Sequence, residues 1–157
     1  MKLVKRATPA AIAVLREATA LRPKRKKASD GLLPSAAHVQ QSPNSDHNTG
    51  LAVDLTHDPA SGIDCVDMFQ KLKEDKRVTY LIFQGKIWSK ERAKEGDRKY
   101  SGSNPHNKHL HISIKEECGN DTSSWFPWMP KPTMLNKVKA KVTKVKVEKK
   151  EQTSPKE

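Results

Sequence analysis

The distribution of apolar positions predicts two helices and a small group of strands. Thr8-Pro9 is a good helix start: a threonine can cap the free amides of a first turn, and proline's missing N–H costs nothing there. Ile12, Leu15 and Ala18 continue at helical spacing, predicting an amphipathic helix from Pro9 to about Leu21. Asp64 can cap a second helix with Val66, Phe69 and Leu72 on its inward face and Lys71, Glu74 and Lys76 outside.

Leu51-Ala52-Val53-Asp54-Leu55 reads as a short buried strand whose one carboxylate needs a cation or metal beside it. Val78 to Phe83 is rich in β-formers, and Gln84-Gly85-Lys86 before Ile87-Trp88 supplies the turn of an antiparallel hairpin. From Lys108 to Ile114 the alternation is sharp: His109, His111 and Ser113 on one face, Leu110, Ile112 and Ile114 on the other.

These elements predict an α+β fold, a small and mainly antiparallel sheet with helices packed on the face opposite the histidines. The basic stretch from Arg22 to Lys27 and the charged segment from Ser89 to Asn107 are expected to be loops, the basic side chains solvated. The expected domain covers residues 1–117. Residues 118–157 then form a Trp/Pro-containing segment, placed to fold back over the domain, and a disordered tail in which Lys and Val mostly alternate.

Charge sharpens this division. The 157 residues carry a net charge of +12. From Lys131 onward nine lysines against three glutamates supply +6 of it, so the tail is expected to tether the domain to an anionic polymer. No helix-turn-helix, zinc-finger spacing or aromatic RNA-binding motif accompanies the charge, so no specific nucleic-acid partner is expected. Cys65 and Cys118 lack C-x-x-C spacing, which excludes a cysteine zinc site and leaves one disulfide open. Arg16 and Glu17 interrupt the first apolar stretch, so neither a signal peptide nor a transmembrane helix is expected. A monomer is the expected state.

The chemistry concentrates in Ser45-Asp46-His47-Asn48-Thr49-Gly50-Leu51-Ala52-Val53-Asp54, an S-x-H-x-x-G-x-A-x-D pattern. A glycine turn between His47 and Asp54 lets imidazole and carboxylate converge on one ion. Zinc takes both donor types, and a catalytic site needs three protein ligands with a fourth position open. His111 would supply the third. His109, two residues earlier on the same strand face, can reach water beside the ion and is the natural general base. His38 and His57 answer to no ligand spacing and are read as ordinary loop histidines.

This pattern and the terminal H-x-H resemble the zinc D-alanyl-D-alanine peptidases and murein endopeptidases of the lysostaphin, D-Ala-D-Ala peptidase and hedgehog superfamily. Lys27-Ala28-Ser29-Asp30-Gly31, His57-Asp58-Pro59, Arg77-Val78-Thr79-Tyr80, Ile87-Trp88-Ser89 and Tyr100-Ser101-Gly102-Ser103-Asn104-Pro105-His106 are similar to segments of such domains in actinobacteria and their phages. The resemblance covers about Thr8 to Lys115. A glutamate three residues before the last ligand, used by the carboxypeptidase branch, is absent; Lys108 stands there, and His-x-x-His-x-His fits the other branch.

The resemblance implies a hedgehog/D-Ala-D-Ala-peptidase-like fold holding one Zn²⁺ on His47, Asp54 and His111. It assigns base chemistry to His109 and a supporting or transition-state role to His106, and it suggests a substrate carboxylate gripped by Lys27 or Arg98, with Arg92 also available. The implied activity is that of an endolysin-like peptidase hydrolysing stem-peptide or cross-link amides of peptidoglycan. Such a protein is made in a host cytoplasm and acts at the cell wall after release. The competing expectation is a catalytically weak, zinc-containing cell-wall-binding module.

Overall fold

The structure, a computed structural model, describes residues 4–132. Helix α1 spans Pro9–Leu21, α2 spans Ala36–Gln41 and α3 spans Cys65–Leu72. The strands are β1 (Ala52–Thr56), β2 (Val78–Phe83), β3 (Lys86–Ser89), β4 (Arg98–Lys99) and β5 (His109–Ile114). They form one antiparallel sheet in the order β1-β5-β2-β3-β4, which makes the fold α+β as expected.

Local chemistry sets the boundaries. The Thr8 hydroxyl accepts from the Ala11 amide and donates to the Gly50 carbonyl at 2.8 Å, so the cap of α1 also ties the helix to the segment entering β1. Asp64 caps α3 by accepting from the amides of Val66 and Asp67. The β2–β3 hairpin turns on Gln84 (φ 48°) and Gly85 (φ 74°), the two consecutive left-handed residues that match the twist of paired strands.

One face of the sheet is apolar. Val53, Leu55, Leu81, Leu110 and Ile112 are fully buried there, against α1 on the β1 side and α3 on the β2 and β5 side. Helix α1 meets the sheet through Ala10, Ala11, Val14 and Ala18, small residues that permit close approach. In α3 the buried set is Cys65, Met68, Phe69 and Leu72. Val66, expected inside, is 52% exposed, because the helical rotation carries it away from the stripe that Cys65 begins. The opposite face of the sheet carries the histidines.

The fold reaches past residue 117. Residues 118–126 belong to the same compact unit as the sheet, so the expected boundary falls inside that unit. Trp125 and Phe126 are buried, and the indole N–H of Trp125 donates to the Ala10 carbonyl at 3.0 Å. The Arg77 guanidinium lies 3.6 Å from the centre of a Trp125 ring, pairs with Asp75, and donates to the carbonyls of Asp121, Ser123 and Ser124. It thereby clamps the returning segment to the start of β2. The lysine-rich tail from residue 133 lies outside the described residues.

Two further expectations change, and the open disulfide question is answered. Arg25, assigned to a solvated loop, is 5% exposed and forms a two-pronged pair with Asp30. Helix α2 and the short strand β4 were not expected. Cys65 and Cys118 are free thiols, not a bridge. Among the described residues no helix is long and apolar enough to cross a membrane.

Candidate metal centre

Strands β1 and β5 build the site by register. Their antiparallel pairing sets Asp54 opposite His111 and Thr56 opposite His109, and the β2 pairing sets Ile82 opposite His111. With a side-chain period of two, Asp54, His109, His111 and Ser113 stand on the face away from the helices. His47 arrives from a short 3₁₀ turn, Asp46–Thr49, capped by Ser45 and ended by Gly50 in a left-handed conformation (φ 73°).

One oxygen of Asp54 is the focus. Oδ1 lies 3.2 Å from Nε2 of His47 and 3.2 Å from Nδ1 of His111. All three donor atoms lie within 4.8 Å of one another. Donors about 2.0–2.2 Å from a tetrahedral zinc ion stand about 3.3–3.6 Å apart, so the two separations to Asp54 Oδ1 need only tenths of an ångström of adjustment. The donor set fits a divalent ion.

The far side of each ring is fixed. His47 Nδ1 is 2.8 Å from the Leu32 carbonyl, which can only accept, so Nδ1 carries the hydrogen and Nε2 presents its lone pair. His111 Nε2 is 2.8 Å from the Ser113 hydroxyl, which also hydrogen-bonds Tyr80, while the Tyr80 ring stacks on His111 at 5.3 Å between centres. Burial pushes the Tyr80 hydroxyl up to about 12, so it remains a neutral phenol.

Asp54 is held from its backbone as well. Its N–H donates to the Gly31 carbonyl at 2.8 Å and its carbonyl accepts from the Gly31 N–H at 3.1 Å. A Cβ at position 31 would lie 3.1 Å from Asp54 Oδ2, tight enough that the carboxylate would have to shift by a few tenths of an ångström. The preceding Asp30 accepts from the amide and hydroxyl of Thr56 and from Arg25, locking this segment along the edge of β1.

Electrostatics favour a cation at the focus. Burial opposes ionisation of Asp54, but hydrogen bonds from His111 and His47 overcome it and hold the carboxyl far below the ordinary range. Burial lowers the affinity of His47 for a proton, and the adjoining Asp54 more than restores it, so its pKa is raised. A proton on His47 and a metal ion therefore compete for one place.

His109 lies at the other oxygen of the carboxylate, and His106 packs edge to face on both His109 and His111. His109 Nε2 is 3.8 Å from Asp54 Oδ2, beyond hydrogen-bonding distance, and its pKa is lowered by burial and by repulsion from His111 and His47 against the pull of Asp54. His106 is lowered to about 4 by burial, then by repulsion from His111 and His109. Its backbone is left-handed (φ 59°), an uncommon state for a non-glycine residue, pinned by the Gln84 amide on its carbonyl. Both imidazoles are neutral near pH 7 and available as proton acceptors.

A family model described as VldE, C-terminal domain, matches residues 5–111, more than half of the 157-residue chain. The chain belongs to the VldE C-terminal domain family. Its matched span ends on His111 and so contains His47, Asp54, His106, His109 and His111. Among curated proteins and among solved structures, nothing matches the chain significantly.

In this VldE C-terminal domain the five residues share one cleft of about 370 Å³. A larger, shallower groove of about 810 Å³ runs along α1 and includes none of them. Lys27 is exposed outside the cleft, and Arg98 lies on β4 with its guanidinium on the Ser89 hydroxyl, so neither lines the cleft. Arg92 pairs with Glu95 and does not line it either. Lining residues that sequence reasoning passed over include His38, Tyr80, Tyr100 and Asn104. The alternation along β5 had already put Ser113 on the histidine face. His57 is an ordinary loop histidine as read, accepting from the Cys65 amide.

Proposed function

We propose that this domain is a zinc-dependent peptidase that hydrolyses an amide bond in the stem peptide or cross-link of bacterial peptidoglycan. One observation carries the reading. Three metal-type donors converge, and a further imidazole, that of His109, stands beside the other oxygen of Asp54 without belonging to that triplet. Ligands plus an adjacent uncommitted base is the minimum apparatus of metal-assisted hydrolysis.

His47 Nε2, Asp54 Oδ1 and His111 Nδ1 would hold the ion. Zinc bound there would supply Lewis acidity, polarising the scissile carbonyl and acidifying water at neutral pH. The remaining work falls to the protein. His109 Nε2, kept neutral by its lowered pKa, takes the proton of the attacking water and returns it to the departing amine. Ser113 and the Leu32 carbonyl hold the ligand rings in orientation, and Tyr80 covers one face of His111.

The peptidoglycan substrate rests on the likeness of the Ser45–Asp54 pattern and the terminal H-x-H to murein peptidases, and a cleft of this size suits a short peptide. On this reading the stem peptides are the partner, the basic tail adds attraction to anionic envelope polymers, and the site of action is the cell wall. Purified peptidoglycan incubated with the zinc-loaded protein should release new free amino groups. His109→Ala should keep its metal while losing about 10²–10⁴ of the rate. Release by the variant at the parental rate would remove His109 as the base; no release by the parent would leave the binding-module alternative.

A further inference from the structure

Asp54 also belongs to a second set of donors. One ring nitrogen each from His106 and His109 and a carboxylate oxygen of Asp54 lie within 4.8 Å of one another. Asp54 therefore belongs to two triplets, one with His47 and His111 at Oδ1 and one with His106 and His109, of which His109 stands 3.8 Å from Oδ2. We propose that His106, His109 and Asp54 form a second, weaker divalent-cation site, with Asp54 bridging two ions.

Three observations support it. The Asn104 backbone carbonyl is 2.7 Å from His106 Nδ1 and can only accept, so Nδ1 bears the hydrogen and Nε2 is left with a lone pair. This is how His47 is prepared by Leu32 in the first site. Next, His109 Nε2 and Asp54 Oδ2 stand 3.8 Å apart, too far for a hydrogen bond and close to the separation of two donors around one ion. Finally, the His106 and His109 rings meet edge to face at 4.9 Å between centres, and both line the same cleft as Asp54, so solvent ions reach them.

Two-metal sites hold their ions about 3.5–4 Å apart, a spacing that a bridging carboxylate permits. Sharing one carboxylate between two like charges makes loading sequential. The second ion should bind at least about tenfold more weakly, the ratio that ~1.4 kcal/mol of repulsion produces. Occupation takes the lone pair of His109. If the peptidase reading holds, on which this consequence alone rests, metal in excess of one equivalent suppresses turnover.

The test counts ions on the full chain and does not need activity. Equilibrium dialysis against zinc should give two equivalents, one tight and one weak. His106→Ala should lose only the weak one, and His47→Ala should weaken the tight one. With cobalt(II), the EPR signal of the first ion should diminish as the second loads, because a carboxylate bridge couples their spins and a surface ion would not. One equivalent in the parent, a weak site that survives His106→Ala, or uncoupled cobalt signals would overturn the proposal. A failure of peptidoglycan hydrolysis alone would not touch it.

Discussion

Asp54 and His111, 57 positions apart in sequence, face each other across the β1–β5 pair with His111 Nδ1 3.2 Å from Asp54 Oδ1. A slip of one residue in that pairing would turn one of the two toward the helices. The site thus depends on sheet register, and register depends on the apolar residues of the opposite face.

Ser113 is the most selective handle on the ligands. Ser113→Ala removes the partner of His111 Nε2 but leaves every ion-facing atom in place. Zinc affinity should fall about 10–100-fold, while thermal unfolding of the metal-free protein should show a loss of only about 1 kcal/mol. Unchanged affinity in a competition titration would mean that the ring is oriented by other contacts.

Arg25 and Asp30 carry the segment that pairs with Asp54. Arg25→Ala leaves the Asp30 carboxylate without its cation, and urea unfolding should register a loss of about 3 kcal/mol. Burial works against the ionised Asp30, and hydrogen bonds from Arg25 and Thr56 outweigh it, so its folded-state pKa lies below 3.8. Its contribution is therefore complete above that value and is lost as the pH falls through the folded-state pKa. Asp30→Asn should flatten the acid limb of the stability profile; an unaltered limb would contradict the assignment.

His106 has the opposite sign from an ordinary paired histidine. Its folded-state pKa is lowered from 6.5 to about 4, so between these values the unfolded chain binds a proton that the folded chain does not. Stability from this group is present above 6.5 and declines as the pH drops toward about 4. In chelator, His106→Gln should show a shallower fall in Tm over that window than the parent. Parallel curves would show that His106 titrates normally.

The sequence marked out the donors because their residue types are costly to bury without purpose: a carboxylate within an apolar strand and histidines at every second position of another. The capping threonine and aspartate placed the starts of α1 and α3, and the Gln84-Gly85 turn placed the hairpin. What escaped depends on distant partners. Arg25 sits in a run of basic residues that looks solvated until Asp30 is seen folded beneath it. Helix α2 has six residues and buries none completely, so no apolar period announces it. Trp125 joins the core through Ala10 and Arg77, neither of which local pattern connects to it. The resemblance suggests a basic residue at the substrate, but neither it nor charge says which of Lys27 and Arg98 reaches the cleft, and neither residue does.

The direct measurement is the metal content of the purified protein after dialysis against trace zinc, made in parallel on Asp54→Ala. At least one tightly held zinc per chain is expected in the parent and essentially none in the variant, with the variant still folded by circular dichroism. A parent that retains no zinc, or a folded Asp54→Ala protein that retains as much as the parent, would contradict a metal centre on His47, Asp54 and His111.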